Sequence, residues 1–167
     1  MEAARLATEE DIPVVAQLAR AGIAELTPTR GGAVWAAQEA RQEPIEKDLA
    51  RTLTAPDTRF LVGTIDGVVV GYAVAHLERL LDGSVLGVVS DIYVDPGARG
   101  VGLGEAMMED LVGWCRSCGC FGMDAMALPG HRLTKNFFEE SGFTARKIVM
   151  HHSLASPPDE EGGGEER

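Results

Sequence analysis

Asp91-Ile-Tyr-Val-Asp-Pro-Gly-Ala-Arg-Gly-Val-Gly-Leu-Gly-Glu-Ala-Met-Met108 decides how this 167-residue chain is read. Val85 to Val94 has the apolar, β-branched character of a strand, and Pro96-Gly97 closes it. A Gly-rich loop follows, then a helix from about Leu103 to Arg116, apolar at Met107, Leu111 and Trp114. A strand–loop–helix of this kind points several backbone N–H groups at one place. The helix dipole reinforces them, and the result is an anion site suited to a pyrophosphate. Gly100, Gly102 and Gly104 remove side chains from the approach, and Arg99 adds a fixed positive charge. A Walker loop would end in Gly-Lys-Ser/Thr, and that tripeptide is absent. A dinucleotide fingerprint requires GxGxxG directly after a first strand. Here the third Gly falls one place early and several elements precede the loop.

Upstream, Ala3 to Ala7 reads as a first strand. Thr8 then caps a helix, with Asp11 three residues on as a variant capping box. Ile12, Val15, Leu18, Ala19, Ile23 and Leu26 form its apolar stripe. Residues 28–42 run from turn formers into an Ala-rich helical stretch around Trp35, which serves either as packing or as a pocket wall. Residues 44–54 predict another short helix. Arg59 to Ile65 and Val68 to Ala75 flank Asp66-Gly67, a hairpin signal, and Asp82-Gly83 leads into the strand already described. Downstream, a strand is predicted over Phe121 to Leu128, a helix over His131 to Ser141, and a last strand over Phe143 to Leu154. The order is that of an α+β sheet layered with helices, with a parallel pair where a helix crosses over. Residues 1–155 read as one domain. Residues 156–167, with Pro-Pro, Gly-Gly-Gly and a net charge of −4, read as a disordered tail.

Composition narrows the function. The hydrophobic fraction is 45% and no apolar run approaches the roughly 20 residues of a membrane helix. The N-terminus lacks the basic and apolar regions of a secretory signal, so a cytoplasmic location is expected. A net charge of −11, of which −7 lies outside the tail, argues against sequence-independent nucleic-acid binding and slightly favours cationic ligands. The cysteines cluster at Cys115, Cys118 and Cys120. Their odd number does not suggest a disulfide framework, and no fourth ligand completes a zinc site, so reduced thiols are expected rather than a metal.

Ile92-x-Val94-x-Pro96 followed by Arg99-x-x-Gly102-x-Gly104 resembles the acyl-CoA signature of the GNAT N-acetyltransferase superfamily. Phe137-Phe138-Glu-Glu-Ser-Gly142-Phe143 resembles the motif at the end of that family's last helix, and the opening Arg-x-Ala-Thr-x-x-Asp resembles its first strand and helix. The resemblance covers nearly the whole chain before the tail. It implies a mostly antiparallel sheet of six to seven strands flanked by helices and splayed between the fourth and fifth. It implies acetyl-CoA as cosubstrate and a small-molecule or peptide amine as acceptor, attacked directly in a ternary complex. Ile92, Tyr93 and Val94 would pair with the pantetheine arm, with the Val94 N–H serving the oxyanion. Arg99, Gly100, Val101, Gly102, Leu103 and Gly104 would wrap the pyrophosphate, and Asn136 joins them as a cofactor contact. No metal is implied, and a homodimer is left open.

The sequence also departs from the family pattern. Phe138 stands where a Tyr often protonates the departing thiolate. A thiol with a pKa near 8.5 leaves tolerably well unaided, although acid help is typically worth about 10²–10⁴-fold. His131 falls where an Asn often contacts the cofactor, which makes it a donor, an acid, a cofactor contact or a surface residue. Asp91, with Ser90 in place of a Glu, is the first candidate for base or amine anchor, with a structural role equally open. Asp124 is the reserve, and His151-His152 reads as sheet-edge surface. The rival function is a non-catalytic acyl-CoA-binding module, and a nucleotide-binding regulatory domain ranks third.

Overall fold

Asp66 and Gly67 take φ of 49° and 81°, the left-handed pair that a two-residue type I′ turn requires. The turn joins β2 (Thr58–Ile65) to β3 (Val68–Arg79) in antiparallel register. The computed structural model describes residues 1–155, and the tail at 156–167 lies outside the described residues. Around this hairpin stand β1 (Glu2–Leu6), β4 (Val85–Val94) and β5 (Gly122–Ala125), in the order β1-β2-β3-β4-β5. The first four strands are antiparallel, and β4 and β5 are parallel. The helices are α1 (Ile12–Leu26), α2 (Gly32–Gln38), α3 (Ile45–Thr54), α4 (Leu103–Ser117) and α5 (Arg132–Glu140). The expected capping box precedes α1: the Thr8 N–H donates to Asp11 Oδ2 at 2.8 Å, and a 3-10 turn at Glu9–Asp11 leads into the helix.

Two apolar layers hold the sheet. On one face Val15, Leu18, Ile45 and Leu49 of α1 and α3 pack on Phe60, Val62, Tyr72 and Val74. On the other, Leu103, Met107 and Leu111 of α4, with Phe138 of α5, pack on Leu61, Ala73, Ala75 and Val89. The α4 crossover makes the parallel pair, as expected where a helix links neighbouring strands. Cys115, buried on α4, lies against Gly87 of β4: a Cβ there would meet its Sγ at 2.5 Å. The three thiols are free.

The expected six to seven strands are five among the described residues. Residues 143–154 carry no helix, strand or turn, although a strand is expected there. Ile148 and Val149 have the right side chains, but strand propensity expresses packing against a neighbour, and both are largely exposed, with no strand beside them among the described residues. His151 and His152 are exposed but border no sheet. The strand expected over 121–128 shortens to Gly122–Ala125, because β4 stays in register with it only from Leu86 to Val89. There the β3–β4 ladder slips: Ala75 faces Val89, Val74 faces Asp91, and Ser90 is the extra residue of a β-bulge. Bulges bend the strand that carries them.

Candidate active site

Beyond the bulge, Ser90 to Val94 has β3 on one side and, among the described residues, no strand on the other, so the sheet is open between β4 and β5. The Asp95 N–H donates to Val70 O at 2.8 Å, which fixes which backbone groups face β3. By the alternation of an antiparallel ladder, Asp91 and Tyr93 turn their backbone groups to β3, while Ile92 and Val94 turn theirs to the opening. The side chains alternate in the other sense: Ile92 and Val94 lie on the α4 layer, and Tyr93 lies on the α1 layer.

The opening leads to the N-terminus of α4, whose first N–H groups have no partner within the helix. Gly100 and Gly102 hold φ of 85° and 88°, a region costly to residues with a Cβ, and nothing lies within 4 Å of where their Cβ atoms would be. That leaves both the backbone shape and the room that a bulky anion needs. Gly104 has a different reason to be glycine: its Cβ would stand 3.1 Å from the Phe137 ring, so α5 packs closely on α4 there. Leu103 is buried and Val101 is half exposed. Asn136 is exposed on α5.

Arg99 turns back from the loop. Its Nε donates to Val94 O at 2.9 Å, its two terminal nitrogens hold Glu25 at 3.0 and 2.9 Å, and its guanidinium lies 5.4 Å from the Tyr93 ring centroid. The anion attraction of the loop therefore resides in its backbone. Glu25, on α1, also stands 3.4 Å from His131 Nε2, and His131 Nδ1 meets Thr134 Oγ1. Arg99 holds the Glu25 carboxyl below its usual range, with a smaller contribution from His131. Glu25, Arg99 and His131 thus form a chain from the end of β4 to the start of α5. Glu25 carries no local sequence signal, since its partners lie 74 and 106 residues away.

Asp91 is enclosed. Arg41 Nε and a terminal nitrogen each donate to it at 2.8 Å, the Tyr72 hydroxyl donates at 3.0 Å, and the Ser90 hydroxyl at 2.7 Å. These four bonds fill the four acceptor positions of a carboxylate. The other terminal nitrogen of Arg41 reaches Asp48 at 2.9 Å and Thr52 at 2.8 Å, which ties the approach to α3 onto β4. Burial works against the Arg41 charge, but Asp91 outweighs it and the guanidinium pKa is raised. Burial, followed by the Asp91 charge, drives the Tyr72 phenol well above its ordinary value. Tyr72 had a signal of its own, since a phenol inside an apolar strand needs a hydrogen-bond partner. Asp124, the other candidate carboxylate, is ion-paired with Arg146, which lowers its pKa. Phe138 is buried among Phe137, Phe143 and the α4 core.

Two depressions flank these groups. One, of about 350 Å³, lies between α1 and the α2–α3 connection and includes Arg20, Arg41 and Glu43. The other, of about 570 Å³, is lined by Arg30, Pro129, Gly130, His131, Arg132 and Leu133. Gly130 packs so closely on Arg30 that a Cβ would lie 2.5 Å from its backbone nitrogen, which holds the two loops together.

A parallel seam that opens at a bulge and runs into a glycine-bounded helix N-terminus defines an acetyltransferase fold of the GNAT type. The chain belongs to the acetyltransferase (GNAT) family, whose model matches residues 24–143. Over 72 residues it is 36% identical to glucosamine 6-phosphate N-acetyltransferase of Trypanosoma brucei brucei, a match covering 43% of this chain and 47% of that protein. It therefore spans about half the length of the curated relative it matches. Among solved structures, a tetramutant protein of Bacillus halodurans superposes with a TM-score of 0.78 at 22% identity, covering 90% of this chain and 99% of that one. The aminoglycoside N-acetyltransferase AAC(6')-Iy, in complex with CoA, superposes at 0.71 with 17% identity, covering 93% and 96%.

Proposed function

We propose that the protein is an acetyl-CoA-dependent N-acetyltransferase acting on a small primary amine. The observation that carries this reading is the unpaired edge of β4, running from Ser90 to Val94 into the N-terminus of α4. The residues present fit the cosubstrate. Ile92 and Val94 offer backbone groups to an extended pantetheine, while Gly100, Val101, Gly102, Leu103 and Gly104 leave room and N–H donors for a pyrophosphate. Acetyl-CoA supplies an activated acyl thioester. The Val94 N–H donates to the carbonyl oxygen that gains charge as the amine attacks. His131, its Nε2 on Glu25 and its Nδ1 on the Thr134 hydroxyl, takes the amine proton through that hydroxyl, which accepts the proton from the amine as it passes its own to Nδ1. Asp91, with every acceptor position filled, positions Arg41 and the α2–α3 connection instead. Phe138 offers no proton, so the thiolate departs on its own acidity.

The acceptor belongs on the side of Arg30, His131 and Arg132. Arg30 and Arg132 form no ion pair among the described residues, in a chain with eleven more acids than bases. A local cationic lining outweighs a net negative charge at contact distance, so an amine carrying an anionic group is favoured. The name of the Trypanosoma relative specifies an amine of that kind.

Calorimetric titration with acetyl-CoA, followed by thiol release over a panel including glucosamine and glucosamine 6-phosphate, tests this. We expect binding and turnover, with a lower KM for the phosphorylated amine; absence of acetyl-CoA binding would refute the assignment. His131→Gln should lower kcat by about 100-fold and leave acetyl-CoA affinity unchanged. Phe138 and the enclosed Asp91 favour a second reading, a module that binds acyl-CoA without turnover. Binding with no thiol release from any amine would select it.

A further inference from the structure

The thiols of Cys115, Cys118 and Cys120 take no part in the site described above, yet the end of α4 brings two of them together. The helix closes in a Schellman turn. The Cys120 N–H donates to Cys115 O at 3.0 Å, the Gly119 N–H donates to Arg116 O at 3.1 Å, and Gly119 supplies the left-handed residue with φ of 77°. Such a turn sets the side chain three places before the helix cap against the one two places after it. That contact is commonly apolar, and here both side chains are cysteines. Cys115 is 1% exposed, with its Sγ under Gly87 of β4, and Cys120 is half-buried just ahead of β5. The thiols stand near enough that Cys120, after burial, is the next cause holding the proton on Cys115.

We propose that Cys115 and Cys120 form a reversible disulfide when the protein meets a hydroperoxide, with Cys120 the thiol that is oxidised and Cys115 the thiol that resolves it. Exposure assigns the first role, since oxidation follows access and Cys115 has almost none. Spacing assigns the partner. Cys118 also meets solvent, but it stands three residues after Cys115 at the end of the helix, where side chains of that spacing keep Cβ atoms about 5–6 Å apart. A disulfide needs about 3.5–4.5 Å, and the Schellman contact is the closer approach. The Cys120 thiolate attacks one peroxide oxygen, the O–O bond breaks, and the leaving hydroxide takes a proton to become water. Cys115 Sγ then attacks the sulfenic sulfur, the S–O bond breaks, and the departing hydroxyl takes the Cys115 proton as a second water. Two thiols lose two electrons and the peroxide gains them. The bond ties the last turn of α4 to the residue that leads into β5, where the Phe121 N–H donates to Val85 O and the parallel pair begins. Oxidation therefore braces the crossover at the end remote from the candidate cofactor loop.

The test treats the full native chain with excess hydrogen peroxide, blocks the remaining thiols with iodoacetamide and maps tryptic peptides by mass without reduction. Trypsin cuts after Arg116, which puts Cys115 on one peptide and Cys118 with Cys120 on the next. We expect the two peptides to appear joined and lighter by two hydrogens, and to separate on adding dithiothreitol. Cys118→Ser should still give the joined pair and Cys120→Ser should lose it; both positions are half-buried, so either serine is accommodated. The six-residue loop that the bond closes should raise Tm by roughly 5 °C, reversed by reductant. A joined pair that survives Cys120→Ser would overturn the proposal, because Cys118 would then be the partner. Peroxide that leaves Cys115 unpaired while Cys118 and Cys120 are oxidised would overturn it too, and a Tm that falls on oxidation would refute the bracing. Should a variant fail to fold, fragmentation of the joined peptides from the unaltered chain places the bridge at Cys118 or at Cys120. None of these measurements requires acetyl-CoA or an amine, so they stand or fall apart from the acetyltransferase reading.

Discussion

Replacing Asp91 by asparagine keeps the shape of the side chain and removes its charge from between Arg41, Tyr72 and Ser90. The Arg41 side chain is 13% exposed and that of Asp91 11%, so the remaining guanidinium cannot be rescued by bulk water. Removing one member of a buried ion pair typically costs about 3–5 kcal/mol, mostly because the other charge is left uncompensated. Two features place this case at the lower end. The other arm of Arg41 keeps Asp48 and Thr52, and the asparagine carbonyl still accepts one bond. A loss of about 3 kcal/mol in a domain of this size corresponds to a fall in Tm of about 6–12 °C. Scanning calorimetry on Asp91→Asn measures it directly. Asp91→Asn combined with Arg41→Met should recover part of the loss, since no orphaned charge remains. Acetyl-CoA affinity should hold, because the β4 backbone beyond the bulge keeps its β3 partner. If Tm moves by less than about 2 °C while kcat/KM falls more than about tenfold, the carboxylate works as a base and the positioning role is wrong.

The other predictions concern the loop, a thiol and the response to acid. Gly102→Val forces a β-branched residue to φ near 88°, at a cost of about 1–2 kcal/mol, and should abolish acetyl-CoA binding in calorimetry while the fold persists; unchanged affinity would remove the loop from the site. Burial, helped by the neighbouring Cys120, pushes the Cys115 thiol up to about 12, so at pH 8 a thiol reagent should modify Cys118 and Cys120 and spare Cys115 until the protein unfolds. Equal rates at all three would contradict that burial. Asp11 is held below its ordinary range by Arg5 and then by Thr8, so its contribution is complete above about pH 4 and is lost as pH falls through the depressed folded value. Urea midpoints should therefore decline below that pH for the native chain and less steeply for Asp11→Asn.

How much of this was legible in the sequence depends on whether a feature is written in the backbone or in the meeting of distant side chains. Asp66-Gly67, Thr8 with Asp11, and Gly100 with Gly102 each need special torsions or a local hydrogen bond, and such needs select a few residue types at short spacing. The hairpin, the helix start and the candidate cofactor loop could accordingly be read in order along the chain. Glu25, Arg41 and Tyr72 meet their partners across 74, 50 and 19 residues, so no spacing announces them. Asp91 shows where the two kinds of information meet. Strict alternation continued from buried Val89 would put Asp91 on the α4 layer, among Leu103 and Met107, where a carboxylate has no partner. The extra residue at Ser90 moves it to the opposite layer, where Arg41 waits, and bends β4 out of register with β5 at the same step. One inserted residue therefore both satisfies the acid and opens the cleft. A bulge has no composition of its own, so an acid in an apolar strand was the sequence's only trace of it, and that trace reads equally well as chemistry or as structure until Arg41 is found beside it.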